Sequence, residues 1–353
     1  MTGKISASAP NSFFVCGEFA FDWGAKALVV PAEIGGQRAS ATLAAQEGRG
    51  KIVIYDGSRM VSLEPSGRVV GEPGMRPFLE AAKKAAATAK CDFTGLPDSL
   101  SISISFPGAL FRQASTASAS AALCACLFEY FGASVRQAQL LECVLESESL
   151  FRPGASSAFA IPAITGEAAV FKKTFLLDGS QKCSSRAFGA QVPGSSRFLY
   201  ASTGAENQKT HLDFSPAFLK TKGDLSASRA GRTPSDLAPA QRAKVAEGFD
   251  AVTEKILREL SGGGSATKLG SILGLAHALL SDAGFCTASA QNAVGFAAKI
   301  PGIRGAKMAG YDGGIVLCCD DAMAADAAKA LAKGGFEVHG LRFPAQALRL
   351  DAK

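Results

Sequence analysis

The longest apolar stretch of the sequence runs from Ala117 to Phe131 and limits what the chain can fold into. It contains Ser118, Ser120 and Glu129, and it is shorter than the ~20 apolar residues needed to cross a membrane core of about 30 Å. We interpret it as a helix buried inside a folded protein. Residues 1–15 contain one lysine and lack the apolar core of a signal peptide. We therefore expect a soluble protein, cytoplasmic or otherwise intracellular, without a membrane partner.

The composition predicts a folded chain with a sizeable core. Apolar residues make up 47% of the sequence and charged residues 19%, which excludes a disordered chain. At roughly 150 residues per domain, the 353 residues predict two domains. The net charge of +6 is small for this length and its basic residues are scattered. Because nucleic-acid binders concentrate Lys and Arg on one face, we expect no nucleic-acid partner.

The cysteines exclude a zinc framework. The sequence has nine cysteines and three histidines, and no two cysteines form a CxxC motif. A structural zinc site needs four such ligands at suitable spacing. We therefore expect free, buried thiols in a reducing compartment and no bound metal.

Hydrophobic periodicity predicts an α+β protein. Strands are expected at Phe13 to Cys16, Ala27 to Pro31, Ala39 to Thr42, Lys51 to Tyr55, Leu100 to Phe106, Arg197 to Ala201, Gly314 to Cys319 and Phe336 to Arg342. Helices are expected at Pro77 to Lys90, near 115–131, and at Val135 to Ser147, Pro239 to Leu260, Lys268 to Asp282, Ser289 to Ala298 and Ala322 to Lys333. The Gly-Ser-Ser sequence at 194–196 predicts a boundary between domains 1–193 and 194–353.

Three stretches of glycine and small residues share an order and spacing that resemble the GHMP kinase superfamily, and within it the mevalonate and phosphomevalonate kinases. The first stretch joins the sequence SAPNS at 8–12 to Gly17-Glu18 and Gly24, the second begins at Pro107-Gly108 before a helix, and the third covers 305–314 before a strand. The helix from Leu269-Gly270 through His277 to Gly284 is also similar to a family helix. The resemblance implies a two-domain GHMP kinase fold, with an N-terminal domain like ribosomal protein S5 domain 2 and a ferredoxin-like C-terminal domain.

The phosphate-binding loop departs from the family pattern. ATP-dependent phosphorylation needs backbone N–H groups that surround the phosphates, and glycine lets the backbone approach them. The family pattern has glycines where this chain has Leu110 and Arg112, and two serines where it has Gln113 and Ala114. Bulky side chains are expected to close the loop to phosphates. An alternative is that Arg112 binds phosphate by its charge.

The resemblance also places the family's catalytic residues on side chains that cannot do their chemistry. The catalytic Lys position falls on Ser12, and the catalytic Asp position falls on Ser157, with Glu146 as the leading Glu of that pattern. A register shifted by one residue places the Asp position on Ser156, which is no carboxylate either. The third motif keeps Lys307, Gly310, Gly313 and Gly314, but has Asp312 where the family has a glycine. An anion at that place is expected to repel phosphates.

We therefore predict a pseudokinase that has lost phosphoryl transfer and acts by binding an unknown protein partner, without a cofactor. A vestigial nucleotide site is expected at Gly17, Glu18, Pro107, Gly108, Arg112, Lys307, Gly310, Gly313 and Gly314. One alternative is an active mevalonate or phosphomevalonate kinase with a rebuilt site, which would use MgATP. Another is a module that binds a metabolite without turnover.

Three further features have open interpretations. Trp23 either fills a former substrate pocket or simply packs, and His277 is either a core or capping histidine or a ligand. The charged run from Lys220 to Arg242 is either a solvated loop or the surface that contacts a partner.

Overall fold

The structure is a computed structural model of the chain. It describes residues 4–18, 20–57, 59–106, 112–151, 157–176, 181–202, 237–309, 314–343 and 345–351, with 112–115 and 181 described by their backbone alone. Most of the charged run at 220–242 lies outside these residues.

The described residues form fifteen strands in two sheets. These are β1 (Ile5–Ala9), β2 (Asn11–Cys16), β3 (Lys26–Ile34), β4 (Ala39–Glu47), β5 (Ile52–Asp56), β6 (Arg59–Leu63), β7 (Val69–Gly71), β8 (Asp98–Ser105), β9 (Ala168–Phe175), β10 (Gln181–Phe188), β11 (Ser196–Ser202), β12 (Ile303–Ala309), β13 (Gly314–Asp320), β14 (Glu337–Arg342) and β15 (Arg349–Asp351).

The same residues form eight α-helices. These are α1 (Arg76–Thr88), α2 (Arg112–Tyr130), α3 (Gln137–Phe151), α4 (Ala160–Thr165), α5 (Pro239–Leu260), α6 (Ala266–Asp282), α7 (Ala288–Ala297) and α8 (Ala324–Lys333). The prediction of an α+β protein is confirmed.

The first sheet has the strand order β15-β1-β4-β8-β5-β6-β7. Its inner face follows from the alternation in β8, where Leu100, Ile102 and Ile104 are buried between less buried serines. Antiparallel pairing places Leu43 of β4 opposite Ile102, so both strands present apolar side chains to the same side. The helices α1, α2 and α3 cover that side and share its core.

The helix α2 contains the long apolar stretch and is buried as predicted. Its side chains from Ala117 to Phe128 are buried or nearly so, and they pack against β1 and β4 as well as against α1 and α3. Small residues allow this close approach, because the Ser118 hydroxyl reaches the Pro10 carbonyl at 2.7 Å and the Cys126 thiol reaches the Ala41 carbonyl at 3.4 Å. No helix of the described residues is both long enough and apolar enough to cross a membrane.

The second sheet has the strand order β10-β9-β3-β14-β11-β13-β12, with β2 paired to β3 at its side. It takes strands from before and after residue 193, since β14 pairs with both β3 and β11. The last strand, β15, returns to the first sheet and pairs with β1. The division into domains 1–193 and 194–353 stays a prediction.

The helices after residue 237 share one core with the second sheet. Phe249 of α5, Leu273 of α6 and Leu317 of β13 belong to this core, and each is at most 2% exposed. Trp23 packs against it with its ring 5.5 Å from that of Phe285. This contact favours the packing interpretation of Trp23.

Several strands and one helix were not predicted from the sequence. The strands β1, β6, β7, β9, β10 and β12 and the helix α4 were not expected, whereas β15 lies where residues 348–350 resemble a closing strand of the family. β1 has the sequence ISASA, in which small alanines make the alternation weak, and β10 has the sequence QKCSSRAF, which does not alternate. The stretch before Gly310, expected as a loop entering a strand, is itself the strand β12.

The contact between α6 and β12 depends on two glycines. A Cβ atom on Gly270 would lie 2.3 Å from the backbone carbonyl of Arg304, and one on Gly305 would lie 1.9 Å from the carbonyl oxygen of Gly270. Both distances are far below any real contact, so the helix and strand touch through their backbones at this point.

Gly270→Ala is therefore expected to lower the free energy of unfolding by about 1–3 kcal/mol or more, because the added methyl group overpacks a rigid backbone contact. Gly274→Ala, one turn later in α6, is the matched control, since nothing lies within 4 Å of its Cβ position. That control is expected to raise stability by about 0.5–1 kcal/mol. Urea unfolding of both variants measures the difference, and equal effects would contradict the backbone contact.

Candidate functional site

A tight turn after β2 directs Glu18 into the protein. Gly17 adopts φ +87°, and a Cβ atom there would lie 2.4 Å from the Lys26 carbonyl oxygen. The Phe21 N–H donates to the Gly17 carbonyl at 2.8 Å and closes the turn. Only glycine fits this conformation and this close approach. Glu18 follows it and is 8% exposed.

Lys307 of β12 pairs with Glu18 inside the protein. Lys307 is fully buried, and its ammonium donates to Glu18 Oε1 and, at 3.0 Å, to the Met308 carbonyl oxygen. Glu18 Oε2 is also buried and has no hydrogen-bond partner among the described residues. The charge of Lys307 is therefore already neutralised within the fold, and its ammonium has no exposed surface.

Two buried thiols lie near this ion pair. Burial raises the pKa of Cys16 and the pKa of Cys286 to about 12, and the charge of Glu18 acts in the same direction on both thiols. The charge of Lys307 opposes these shifts but does not cancel them. Both thiols are therefore protonated near neutral pH, which makes them poor nucleophiles. All nine cysteines are free, as expected.

His277 of α6 has a structural role beside the same pair. The Met308 N–H donates to His277 Nδ1 at 3.3 Å, and the Cys286 thiol lies 3.6 Å from the same nitrogen. Burial, and then the charge of Lys307, lower the pKa of His277. A neutral ring that accepts at Nδ1 fits these contacts. The core interpretation of His277 is thus favoured over the ligand interpretation.

The two positions that the resemblance assigns to catalysis lie near each other. Ser12 of β2 is fully buried, and its hydroxyl donates to the Phe159 carbonyl oxygen at 2.8 Å. Phe159 comes two residues after Ser157, which is half-buried and close enough to the Cys183 thiol to act on its pKa. The structure brings these positions together without a lysine or a carboxylate at either of them.

A buried hydroxyl and carboxylate pair was missed by the sequence analysis. The Thr116 hydroxyl of α2 donates to Glu148 Oε1 of α3 at 2.6 Å, and each residue is 1% exposed. Glu146, which was aligned with the family's leading Glu, is exposed instead. The periodicity of α3 carried the signal, because Glu148 follows the buried Leu140 and Val144 at intervals of four residues.

The described part of the glycine motifs is incomplete. Gly314 begins β13, and a Cβ atom there would lie 2.0 Å from the hydroxyl oxygen of the buried Tyr200, so close packing explains this glycine. Other predicted positions lie outside the described residues, namely Pro107, Gly108, Leu110, Gly310, Asp312 and Gly313. Arg112 and Gln113 begin α2, where only their backbone is described.

The described residues contain no group of three or more His, Cys, Asp or Glu side chains placed to hold a metal ion. The Thr116 hydroxyl and the Glu148 carboxylate are nevertheless ligand types that Mg²⁺ accepts. A Ser or Thr hydroxyl with a carboxylate is also how many phosphoryl-transfer proteins hold this ion. The chemistry of this pair fits Mg²⁺. Because the two side chains are buried and bonded to each other, the ion would have to replace part of the Thr116–Glu148 hydrogen bond.

Comparison by sequence gives no match, neither to a protein-family model nor to a curated protein. Comparison of the fold with solved protein structures gives many matches. L. major mevalonate kinase, solved in complex with R-mevalonate, has a TM-score of 0.66 at 16% identity and covers 98% of this chain and 98% of its own. Lactococcus lactis galactokinase complexed with galactose has a TM-score of 0.64 at 15% identity, covering 97% of this chain and 94% of its own.

Streptococcus pneumoniae phosphomevalonate kinase has a TM-score of 0.63 at 13% identity, covering 97% of this chain and 99% of its own. These proteins are GHMP kinases, and the similarity extends over nearly the whole chain in each case. The expectation of a GHMP kinase fold is confirmed. At such low identity the similarity establishes the fold and leaves the activity open.

Removing one partner of the Glu18–Lys307 pair is expected to cost about 3–5 kcal/mol of stability, because the other charge stays buried without compensation. Lys307→Met and Glu18→Gln test the single losses. The double variant is expected to be far more stable than the sum of the two predicts, since a neutral amide and an apolar side chain leave no unpaired charge. Urea unfolding of all four proteins gives the coupling energy. Additive single effects would contradict the buried pair.

The stability of the protein is expected to fall as the pH drops below about 6.5, where unfolded histidine takes up a proton. His277 in the folded state has a lowered pKa, so it stays neutral while the unfolded chain becomes protonated. The difference in stability between pH 7.5 and pH 5.5 should shrink in His277→Gln, whose side-chain oxygen can still accept from the Met308 N–H. An unchanged difference would show that His277 does not contribute.

Proposed function

We propose that this chain is a protein with the GHMP kinase fold that does not transfer phosphoryl groups. The proposal is carried by Ser12 together with Ser157, the positions at which the resemblance expects a lysine and an aspartate. Phosphoryl transfer depends on cations at the migrating group and on a carboxylate that orients the nucleophile or the metal. Serine at pH 7 is neutral and supplies neither.

The local packing supports the same conclusion. Ser12 is fully buried and its hydroxyl is occupied by the Phe159 carbonyl, so this position offers no group toward a ligand. Lys307 is the cation that the third motif keeps, and Glu18 already neutralises it inside the core. Moving this ammonium to a phosphate would leave Glu18 as an unpaired buried carboxylate, which is strongly unfavourable.

A second candidate function is binding of a metal–nucleotide complex without turnover. The Thr116–Glu148 pair favours it, because a hydroxyl and a carboxylate suited to Mg²⁺ persist next to the start of α2. Glu148 would hold the ion and Thr116 would assist it, and the ion would neutralise phosphate charge. In this candidate Thr116 and Glu148 bind the metal ion, but the lysine and the aspartate that phosphoryl transfer needs are absent from positions 12 and 157.

We further propose that the protein acts through a protein partner. Phe175 and Leu176 at the end of β9 are adjacent and are 49% and 46% exposed, which is unusual for large apolar side chains in sequence. They offer a small apolar contact at the end of β9, beside the largely exposed strand β10. The charged run at 220–242 remains the other expected contact.

The direct test measures ADP release and thermal stability in the same samples. The protein is incubated with MgATP and either mevalonate, phosphomevalonate or galactose, and an active mevalonate kinase serves as the positive control. We expect no ADP above background with any of these compounds, and no change in the unfolding midpoint with MgATP and the unphosphorylated alcohols. Binding at 100 times the dissociation constant would add about 2.7 kcal/mol, which a thermal scan detects.

Each alternative has its own outcome. A stabilising shift with MgATP but no ADP supports the second candidate, and Glu148→Gln should then abolish the shift. ADP release that depends on one of the alcohols contradicts the proposal and identifies an active kinase. Ser12→Lys combined with Ser157→Asp is expected to leave the protein inactive, because the buried Ser12 position cannot accept a lysine that reaches a substrate.

A further inference from the structure

A cavity of about 490 Å³ lies on the side of the second sheet, among β3, β9, β10 and the helix α5. Its lining is strongly basic, with Lys26, Lys172 and Arg186 against the single carboxylate of Glu254. Ser184 adds a hydroxyl. None of these residues is among the positions that the resemblance assigns to nucleotide or catalysis.

The strand register places these cations side by side. Lys26 of β3 lies directly opposite Lys172 of β9, and Lys172 lies directly opposite Ser184 of β10. Arg186 is two residues beyond Ser184, so it is the diagonal neighbour of Lys172 on the same face. Like charges directly opposite each other across a strand pair destabilise a sheet. The positive charges on β3, β9 and β10 therefore repel one another, and a bound anion would remove this repulsion.

The protein neutralises this cluster only in part. Lys26 donates to Glu254 Oε1 at 2.5 Å, and its backbone N–H donates to Asp250. The side chains of Lys172 and Arg186 make no ion pair or hydrogen bond with any described residue, and both are exposed. Arg186 is close enough to Glu254 to help lower the pKa of that carboxyl, after the larger effect of Lys26. Two positive charges thus line one cavity, Lys172 without an ion pair among the described residues and Arg186 with only a longer-range attraction to Glu254.

We propose that this cavity is a binding site for a small phosphate monoester. Lys172 and Arg186 would hold the phosphate, the planar guanidinium by paired hydrogen bonds and the ammonium as a point charge. The Ser184 hydroxyl donates to the Lys172 carbonyl oxygen at 3.3 Å, so it would have to turn away from that carbonyl to donate to the phosphate. The volume falls in the range of small-molecule sites, and Glu254 disfavours a polyanion by repelling additional negative charge. The site is independent of the proposed loss of phosphoryl transfer.

The first measurement uses inorganic phosphate as the probe, with sodium chloride at equal ionic strength as the reference. The wild-type midpoint of thermal unfolding is expected to rise with phosphate and to saturate in the millimolar range, by about 2 °C or more relative to chloride. Lys172→Ala and Arg186→Ala should each reduce the apparent affinity at least about fivefold. Lys333→Ala, an exposed lysine at the end of α8, is the matched control and should behave as wild type.

Lys172→Glu gives a readout that does not depend on loss of function. The new carboxylate would lie opposite Lys26 and diagonal to Arg186, so it replaces the missing anion. We expect a higher midpoint without phosphate and no phosphate-dependent increment. The proposal is contradicted if phosphate stabilises wild type and Lys172→Ala/Arg186→Ala equally, since that is the general effect of an excluded anion. It is equally contradicted if Lys172→Glu lowers the midpoint, because the cations would then not repel each other. Binding of an acidic peptide, but not of phosphate, would assign the surface to a protein instead.

Discussion

The buried ion pair between Glu18 and Lys307 is the interaction on which the centre of this molecule depends. Its partners are 289 residues apart, and they join the turn after β2 to the strand β12. Burying two charges is expensive unless they stay paired, so each residue fixes the position of the other. Two buried thiols and the imidazole of His277 lie around the pair, and such buried surroundings strengthen the attraction between the two charges.

The same ion pair occupies a charged residue of the third glycine motif, although the fold around it is retained. A GHMP kinase fold is present over nearly the whole chain, but the lysine kept in the third motif is committed to Glu18. Ser12 is committed to a backbone carbonyl in the same way. The polar groups at these two positions thus serve the stability of the core. The chemistry of the Thr116–Glu148 pair fits a metal ion. Whether this pair binds Mg²⁺ distinguishes a protein without nucleotide binding from one that binds a nucleotide without turnover.

The sequence predicted those parts of the fold whose side chains alternate or repeat clearly. The strand around Ile102 is one example, since its burial alternates along the chain, and the continuous apolar run from Ala117 is another, since that helix is buried on nearly all sides. It also singled out Glu18 and Lys307, but no local pattern could show that residues so distant pair with each other. The Thr116–Glu148 contact was missed because a carboxylate on an apolar helix face is not expected from composition. Strands made of serine and alanine, such as β1, were missed because tertiary pairing and not propensity creates them.

A crystal structure with Mg²⁺ and a non-hydrolysable ATP analogue at high concentration tests the central claim most directly. We expect Lys307 Nζ to remain bonded to Glu18 and the Ser12 hydroxyl to remain on the Phe159 carbonyl, with no phosphate oxygen at either group. An ordered triphosphate that draws Lys307 away from Glu18 and places its terminal phosphate beside Ser12 and Ser157 would contradict the claim.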